Sequence, residues 1–243
     1  MASKFSVEKT STTPAAAGAK PLSKDDVPRT EAVTETEEMR VAPYREAVGA
    51  LMWAATMTHP DVAYAAHQLG KINHNQGPAH WRAVQRALQY LPRTKDVGIT
   101  YGGKPGSCTK VDADFATCPD TRHSDSGGAV ILGGGRSVGS RGYRRWPRGY
   151  VALAEVVNEL RFLRKMKGFL TLPIDDNIII KEGNKGAIKM ATNRFSCRRT
   201  RPVDVKRHIV RDAVESGIVR IHYVMSGEQH ADVPTKALGV NIF

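Results

Sequence analysis

Residues 110–143 read KVDADFATCPDTRHSDSGGAVILGGGRSVGSRGY, a stretch in which short β-like runs alternate with glycine. The runs at 110–116 and 127–135 predict two strands, because Val, Ile, Phe and Thr favour extended backbone. The triple glycine that closes the second run suits a tight connection, so a third strand is expected near 137–143. Together with the run GITY at 98–101, this stretch predicts the first strands of a sheet.

The chain beyond this stretch alternates between helical and strand patterns. A stripe of apolar residues over 151–170 predicts one long helix. Shorter patterns predict a strand at 177–181, a helix at 185–192, a helix at 203–216, a strand at 218–225 and a short terminal helix near Gln229. Strands followed by alternating helices and strands are typical of the α/β class, with a mixed sheet flanked by helices.

Three helices are predicted ahead of the sheet. YREAVGALMWAATM at 44–57 repeats apolar residues at helical spacing, and HPDVAYAAHQLGKI at 59–72 places Pro60 where a helical first turn accepts it. A third helix is expected from Pro78 onward.

These patterns also define the organisation of the chain. Residues 1–41 are rich in Ser, Thr, Ala, Pro, Lys and Glu, which predicts a disordered linker or arm. We therefore divide the chain into this arm, a small helical connection segment at 42–95 and a sheet-containing domain at 96–243.

Positive charge predominates in the chain. Lys and Arg number 36 against 24 Asp and Glu, which gives a formal net charge of +12. Residues 1–40 hold six basic and seven acidic side chains, so the excess lies in the part predicted to fold. A basic surface gains affinity for phosphate backbones by releasing condensed counterions, which makes nucleic acid the first partner to expect. The alternative is a basic surface that serves solubility alone.

Cysteine usage and the first residues bear on the compartment. Cys108, Cys118 and Cys197 form no CxxC pair and leave one odd thiol under any disulfide pairing, which favours a reducing compartment and argues against a zinc ribbon. The start, MASKFSVEKTST, lacks the apolar core of a signal peptide, and no run reaches the ~18 apolar residues of a membrane span. We therefore expect an intracellular protein, cytoplasmic or nuclear, that is neither secreted nor in a membrane.

Several segments, taken in order, resemble the C-terminal ribonuclease H region of copia-type retrotransposon Pol polyproteins. YREAVGALMWAATMTHPDVAYA is similar to the segment that joins the polymerase to ribonuclease H, and KVDADFATCPDTRHSDSGGAVILGGG to the first ribonuclease H hairpin. GNKGAIKMA, TRPVDVKRHIVRDAVESGIVRIHYV and EQHADVPTKAL resemble later segments. The resemblance covers about residues 5–240 and implies a ribonuclease H-like sheet for the domain at 96–243.

The resemblance also implies a two-metal nuclease that cuts the RNA strand of an RNA/DNA hybrid. In such chemistry two divalent ions, ~3.5–4 Å apart, activate water and stabilise the leaving oxygen. Mg²⁺ prefers hard oxygen ligands, so several carboxylates must converge to hold the pair. In this family those carboxylates come from the first strand, the first long helix, the fourth strand and the last helix.

Two of these four ligand positions carry acids in this chain. The segment DADFA places Asp112 at the first-strand position, and HADVPTK places Asp232 at the last-helix position. RRWPRGY places Gly149 where the family has Glu, and EGNKGAI places Gly183 where the family has Asp before Asn. A register shift of one residue would bring Glu182 to the fourth-strand position instead.

Two arginine-rich segments are candidates for nucleic-acid contact. Their mixture of cations and aromatic rings suits phosphate binding and stacking on bases. Drift in a decaying element explains the first segment as readily as selection for binding. The residues predicted to bind nucleic acid are Arg141, Arg144, Arg145, Trp146, Arg148, Arg198, Arg199 and Arg201.

The sequence supports three hypotheses for function. The main one is a retrotransposon-derived ribonuclease H-like protein that binds RNA/DNA hybrid or duplex nucleic acid and has little or no nuclease activity. The second is an active ribonuclease H that uses Asp112, Glu182 and Asp232 with Mg²⁺. The third is a non-functional polyprotein fragment, or an interaction module recruited by the host that binds through the helices at 43–93.

Overall fold

The described part of the chain contains a five-stranded sheet with helices packed on it and a second cluster of helices. The computed structural model describes residues 5, 9–16, 18, 23, 42–98, 107–113, 124–132, 135–143, 148–171, 178–192, 204–225 and 237. Within this part of the chain, no helix is long and apolar enough to cross a membrane.

The strands are β1 Ser107–Ala113, β2 Ser124–Leu132, β3 Gly135–Tyr143, β4 Ile178–Glu182 and β5 Val219–Tyr223. Their order across the sheet is β3-β2-β1-β4-β5. The first three strands are antiparallel neighbours, whereas β4 runs parallel to both β1 and β5. The predicted α/β class is confirmed, since the sheet is mixed and helices pack on it.

The helices are α1 Tyr44–Met57, α2 Ala63–Gly70, α3 Pro78–Tyr90, α4 Arg148–Phe169, α5 Lys185–Thr192 and α6 Asp204–Glu215. The second predicted helix is shorter than expected, because a 3-10 turn occupies Pro60–Val62 before α2 begins. Residues 99–101 of the predicted strand GITY and the predicted terminal helix near Gln229 lie outside the described residues.

Alternation along β4 and β5 divides the sheet into two faces. Ile178, Ile180 and Val219 are buried, whereas Ile179 is 37% exposed and Arg220 is exposed. Because successive strand residues point to opposite sides, the buried set defines an inner face and the exposed set an outer face.

Helices α4, α5 and α6 cover the inner face. Each supplies small or branched residues to one apolar core that also holds Ile178 and Ile180. Removing a Leu, Ile or Val side chain from water contributes ~1.5–3 kcal/mol, so this core fixes the helices on the sheet. The core residues of the three helices include Leu153, Val157, Leu160, Ala187, Ala191, Val210 and Ala213.

Helices α1, α2 and α3 form the helical module, which has a core of its own. Val48, Leu51, Val84 and Leu88 are almost fully buried in it. Helices α1 and α2 also lie beside β3, an edge strand of the sheet.

Two buried tyrosines join elements of the helical module. The Tyr44 hydroxyl donates a hydrogen bond to the carbonyl oxygen of Leu69 at 3.0 Å, and the Tyr90 hydroxyl donates one to the carboxylate of Asp61. Burial raises the pKa of Tyr44. Burial also raises the pKa of Tyr90, and the bond to Asp61 raises it further.

Part of the N-terminal arm contacts the helical module. Thr13 is buried, and its hydroxyl oxygen accepts a hydrogen bond from Arg86 of α3 at 2.9 Å. The amide of Ser11 donates to the carbonyl oxygen of Gln89 at 3.0 Å. The arm, connection and domain boundaries drawn from the sequence stay predictions, but residues 9–16 lie against α3.

We predict that Tyr44→Phe lowers the free energy of unfolding by ~1 kcal/mol, because the substitution removes a buried hydrogen-bond donor and keeps the ring. Urea denaturation followed by circular dichroism measures the change. Thr56→Ala, at an exposed position of α1, is the control and should change stability by less than ~0.5 kcal/mol. Equal stabilities of Tyr44→Phe and the parent protein would contradict the assigned role of this bond.

Stability should also fall as pH rises above ~10. Unfolded tyrosines ionise near pH ~10, whereas the raised pKa values of Tyr44 and Tyr90 keep both phenols protonated in the folded state. The folded state therefore holds more protons, so alkali favours unfolding. Urea midpoints measured from pH ~8 to pH ~11 should drop less steeply for the Tyr44→Phe, Tyr90→Phe double variant. An unchanged slope would refute this linkage.

Candidate active site at the ends of β1 and β4

The parallel pairing of β1 with β4 brings two predicted ligand positions together. Val111 of β1 pairs with Glu182 of β4 at the carboxyl ends of the two strands. Asp112 follows Val111, and Gly183 follows Glu182, so positions 112 and 183 are neighbours at the carboxyl ends of the two strands. An acid at position 183 would stand next to Asp112, but glycine offers no ligand.

Glu182 belongs to the inner face. It lies two residues after Ile180 and four after Ile178, so it is on the same face of β4, and its side chain is fully buried. Its Oε1 accepts a hydrogen bond from the backbone amide of Asn184 at 2.8 Å. Since Val111 is the register partner of Glu182, position 112 falls on the outer face. The carboxylate of Glu182 thus supports the turn after β4 from the face opposite to position 112.

Asn184 starts helix α5. Its Oδ1 accepts hydrogen bonds from the backbone amides of Gly186 at 2.9 Å and Ala187 at 3.2 Å, which satisfies two amides of the first turn. The Lys185 ammonium lies 4.8 Å from the ring centroid of Tyr223, which links the helix start to β5. The turn therefore holds its shape through contacts that need no metal.

The backbone at position 183 does not require glycine. Among the described glycines, positive φ angles occur at Gly18 and Gly217. Gly183 therefore adopts a conformation open to other residues.

The described residues contain no cluster of carboxylates that would hold two metal ions. No group of three or more His, Cys, Asp or Glu side chains among the described residues is placed to hold a metal ion. Two bound Mg²⁺ ions require several converging oxygen ligands. At the ends of β1 and β4 the ligand positions hold one acid, Asp112, and one glycine.

The other predicted site residues are distributed over several elements. Arg148 and Gly149 are the first two residues of α4, and Arg141 lies in β3. The remaining predicted site residues, which lie outside the described part of the chain, are Asp232, Arg144, Arg145, Trp146, Arg198, Arg199 and Arg201.

Sequence reasoning missed the polar outer face of β4 and β5. Lys181, Arg220 and His222 occupy this face, opposite the buried Ile180 and Val219. The signal was present in VRIHY, where Arg220 and His222 are two positions apart, and in IIIKE, where Lys181 is two positions after Ile179.

Several curated relatives of the chain are retrotransposon proteins. It is 30% identical over 234 residues to a retrovirus-related Pol polyprotein from transposon TNT 1-94 of Nicotiana tabacum, covering 93% of this chain and 17% of the relative. It is 31% identical over 205 residues to a retrovirus-related Pol polyprotein from transposon RE2 of Arabidopsis thaliana, covering 80% and 14%. The chain thus spans less than a fifth of the length of these relatives. No protein-family model matches it.

A solved structure with a similar chain is RNase H1 from the halophilic archaeon Halobacterium salinarum NRC-1. The similarity has a TM-score of 0.38 and a sequence identity of 15%, and it covers 51% of this chain and 89% of the archaeal chain.

Removing the cap at Asn184 should destabilise the protein. We expect Asn184→Ala to lower the free energy of unfolding by ~1 kcal/mol, because two amides of α5 lose their acceptor. Asn184→Asp keeps an acceptor oxygen at the cap and should retain most of the stability. Urea denaturation of both variants measures the difference. Equal loss in the two variants would show that the cap is not the cause.

Proposed function

We propose that the chain, which belongs to the copia-type retrotransposon Pol polyproteins, corresponds to their C-terminal ribonuclease H region, binds nucleic acid and is impaired as a nuclease. The preferred ligand is an RNA/DNA hybrid or another duplex. We propose that it acts inside the cell, in the cytoplasm or the nucleus, where such nucleic acids occur.

The observation that carries the impaired catalysis is Gly183 beside Asp112. The pairing of β1 with β4 makes these positions neighbours, and one of the two supplies no carboxylate. Gly149 at the start of α4 stands at a second ligand position of the family. Catalytic groups that act as a unit lose most of their effect when one is removed, so two missing ligands should abolish metal-dependent cleavage.

Charge supports the binding half of the proposal. The chain has a formal net charge of +12, and phosphate contacts supply much of the affinity of proteins for nucleic acid. The arginine-rich segments add cations beside aromatic side chains, including Arg144, Arg145 and Trp146. These residues suit contact with backbone and bases rather than cleavage.

The active-enzyme alternative requires Glu182 to replace the missing Asp. The burial of Glu182 on the inner face and its bond to the amide of Asn184 weigh against that role. The interaction-module alternative has one observation in its favour. On α1, Met52, Trp53 and Met57 are at least half exposed, and clustered exposed apolar residues are typical of protein contact surfaces.

A cleavage assay with restored ligands tests the proposal. The parent protein should not cut an RNA/DNA hybrid with Mg²⁺, because two ligand positions hold glycine. The Gly149→Glu, Gly183→Asp variant should gain Mg²⁺-dependent cleavage, and adding Asp112→Asn should remove it again. Cleavage by the parent protein that Asp112→Asn and Glu182→Gln both abolish would refute impaired catalysis and favour the active enzyme.

A further inference from the structure

Register pairing aligns three basic residues in one row across the outer face. Lys110 of β1 pairs with Lys181 of β4, and Lys181 pairs with His222 of β5. Directly paired residues share a face, so these three positions form a line perpendicular to the strands. Arg220 adds a cation in the next row, beside Ile179. We call these four residues, Lys110, Lys181, Arg220 and His222, the outer-face row, although Arg220 lies in the neighbouring row.

The row is open where the structure describes its side chains. Arg220 and His222 are exposed, Lys181 is partly exposed, and Ile179 between them is 37% exposed. On the described residues of β4 and β5, the outer face carries no carboxylate. Asp112 of β1 lies one row away and leaves a net positive charge.

Like charges placed directly opposite each other on neighbouring strands destabilise a sheet. An anion held against the face offsets that repulsion. Neighbouring strands lie ~4.8 Å apart, so a row across three strands is ~10 Å long. A row of this length can contact more than one phosphate of a nucleic-acid backbone, because the phosphates follow one another along each strand.

We propose that the outer-face row is a binding site for the phosphate backbone of nucleic acid. This inference rests on the proposed nucleic-acid binding and adds a second contact surface to the arginine-rich segments. The row lies on the same face as position 112 and adjoins the place where Gly183 leaves the metal site incomplete. Binding there uses charge alone and is independent of Mg²⁺.

Paired substitutions of equal charge test the site. Lys181→Gln with Arg220→Gln removes two cations from the outer-face row. Lys165→Gln with Lys189→Gln removes two exposed cations from α4 and α5, which lie on the inner face. Affinity for a short fluorescent RNA/DNA hybrid is measured by anisotropy at several salt concentrations without Mg²⁺.

We expect the outer-face pair to weaken binding ~10-fold at low salt and to reduce the slope of log affinity against log salt by ~2, about one for each lost phosphate contact. The control pair should change both much less. The charge-preserving Lys181→Arg, Arg220→Lys variant should bind like the parent protein, which separates charge from folding.

Other results overturn the inference in distinct ways. Equal weakening by the two neutralising pairs would mean that only overall charge matters, and the proposed binding would stand without this site. If the outer-face pair leaves the affinity unchanged but shifts the thermal midpoint of unfolding, the charges of the row are balanced by other groups of the chain. Nucleic acid would then not bind there. No binding by the parent protein at low salt would refute the proposed function as well.

Discussion

The parallel ladder between β1 and β4 fixes the arrangement of the sheet-containing domain. It joins segments about seventy residues apart in the chain and sets which residues of the later half face the core. With this register, Ile178 and Ile180 meet the apolar sides of α4, α5 and α6. A slip of one residue would exchange the two faces, burying Lys181 and exposing Ile180. The core, the placement of Glu182 and the neighbours of Asp112 all depend on this one register.

Local patterns in the sequence predicted the ends of some elements closely and missed others: α4 and α2 begin three and four residues from their predicted starts, whereas β4 and β5 begin within one. The apolar spacing of 44–57 and 185–192 predicted α1 and α5 to the residue, because helical periodicity and capping are encoded within each segment. The strands predicted at 110–116 and 127–135 are β1 and β2, and each begins three residues earlier than predicted. Strand ends depend on the partner strand, and β1 and β2 pair over Ser107–Ala113 and Ser126–Leu132.

The resemblance predicted which residues stand at the metal-ligand positions, but it did not predict which of these residues are neighbours in the fold. That Asp112 and Gly183 are neighbours is a result of long-range pairing that no single segment contains. The sequence also left Glu182 open as a substitute ligand. Its burial and its bond to the amide of Asn184 come from packing against distant helices, which periodicity alone cannot give.

The turn from β4 into α5 shows how a ligand position can change while the fold persists. The carboxylate of Glu182 accepts a hydrogen bond from the backbone amide of Asn184. The side chain of Asn184 caps α5 by accepting from the amides of Gly186 and Ala187. Gly183 lies between Glu182 and Asn184 and makes none of these contacts through a side chain. Selection on folding therefore acts on its two neighbours, whereas selection on metal binding would act on position 183 itself.

The position of α1 and α2 beside β3 has a consequence for how the domain behaves when it is isolated. An unpaired edge strand is a template for adding strands from other molecules, and β3 is an edge of this sheet. Helices α1 and α2 lie close to this edge, so a fragment trimmed to the sheet and its own helices leaves more of β3 open to solvent. We expect such a fragment to pair with strands of other molecules more readily than the whole chain does.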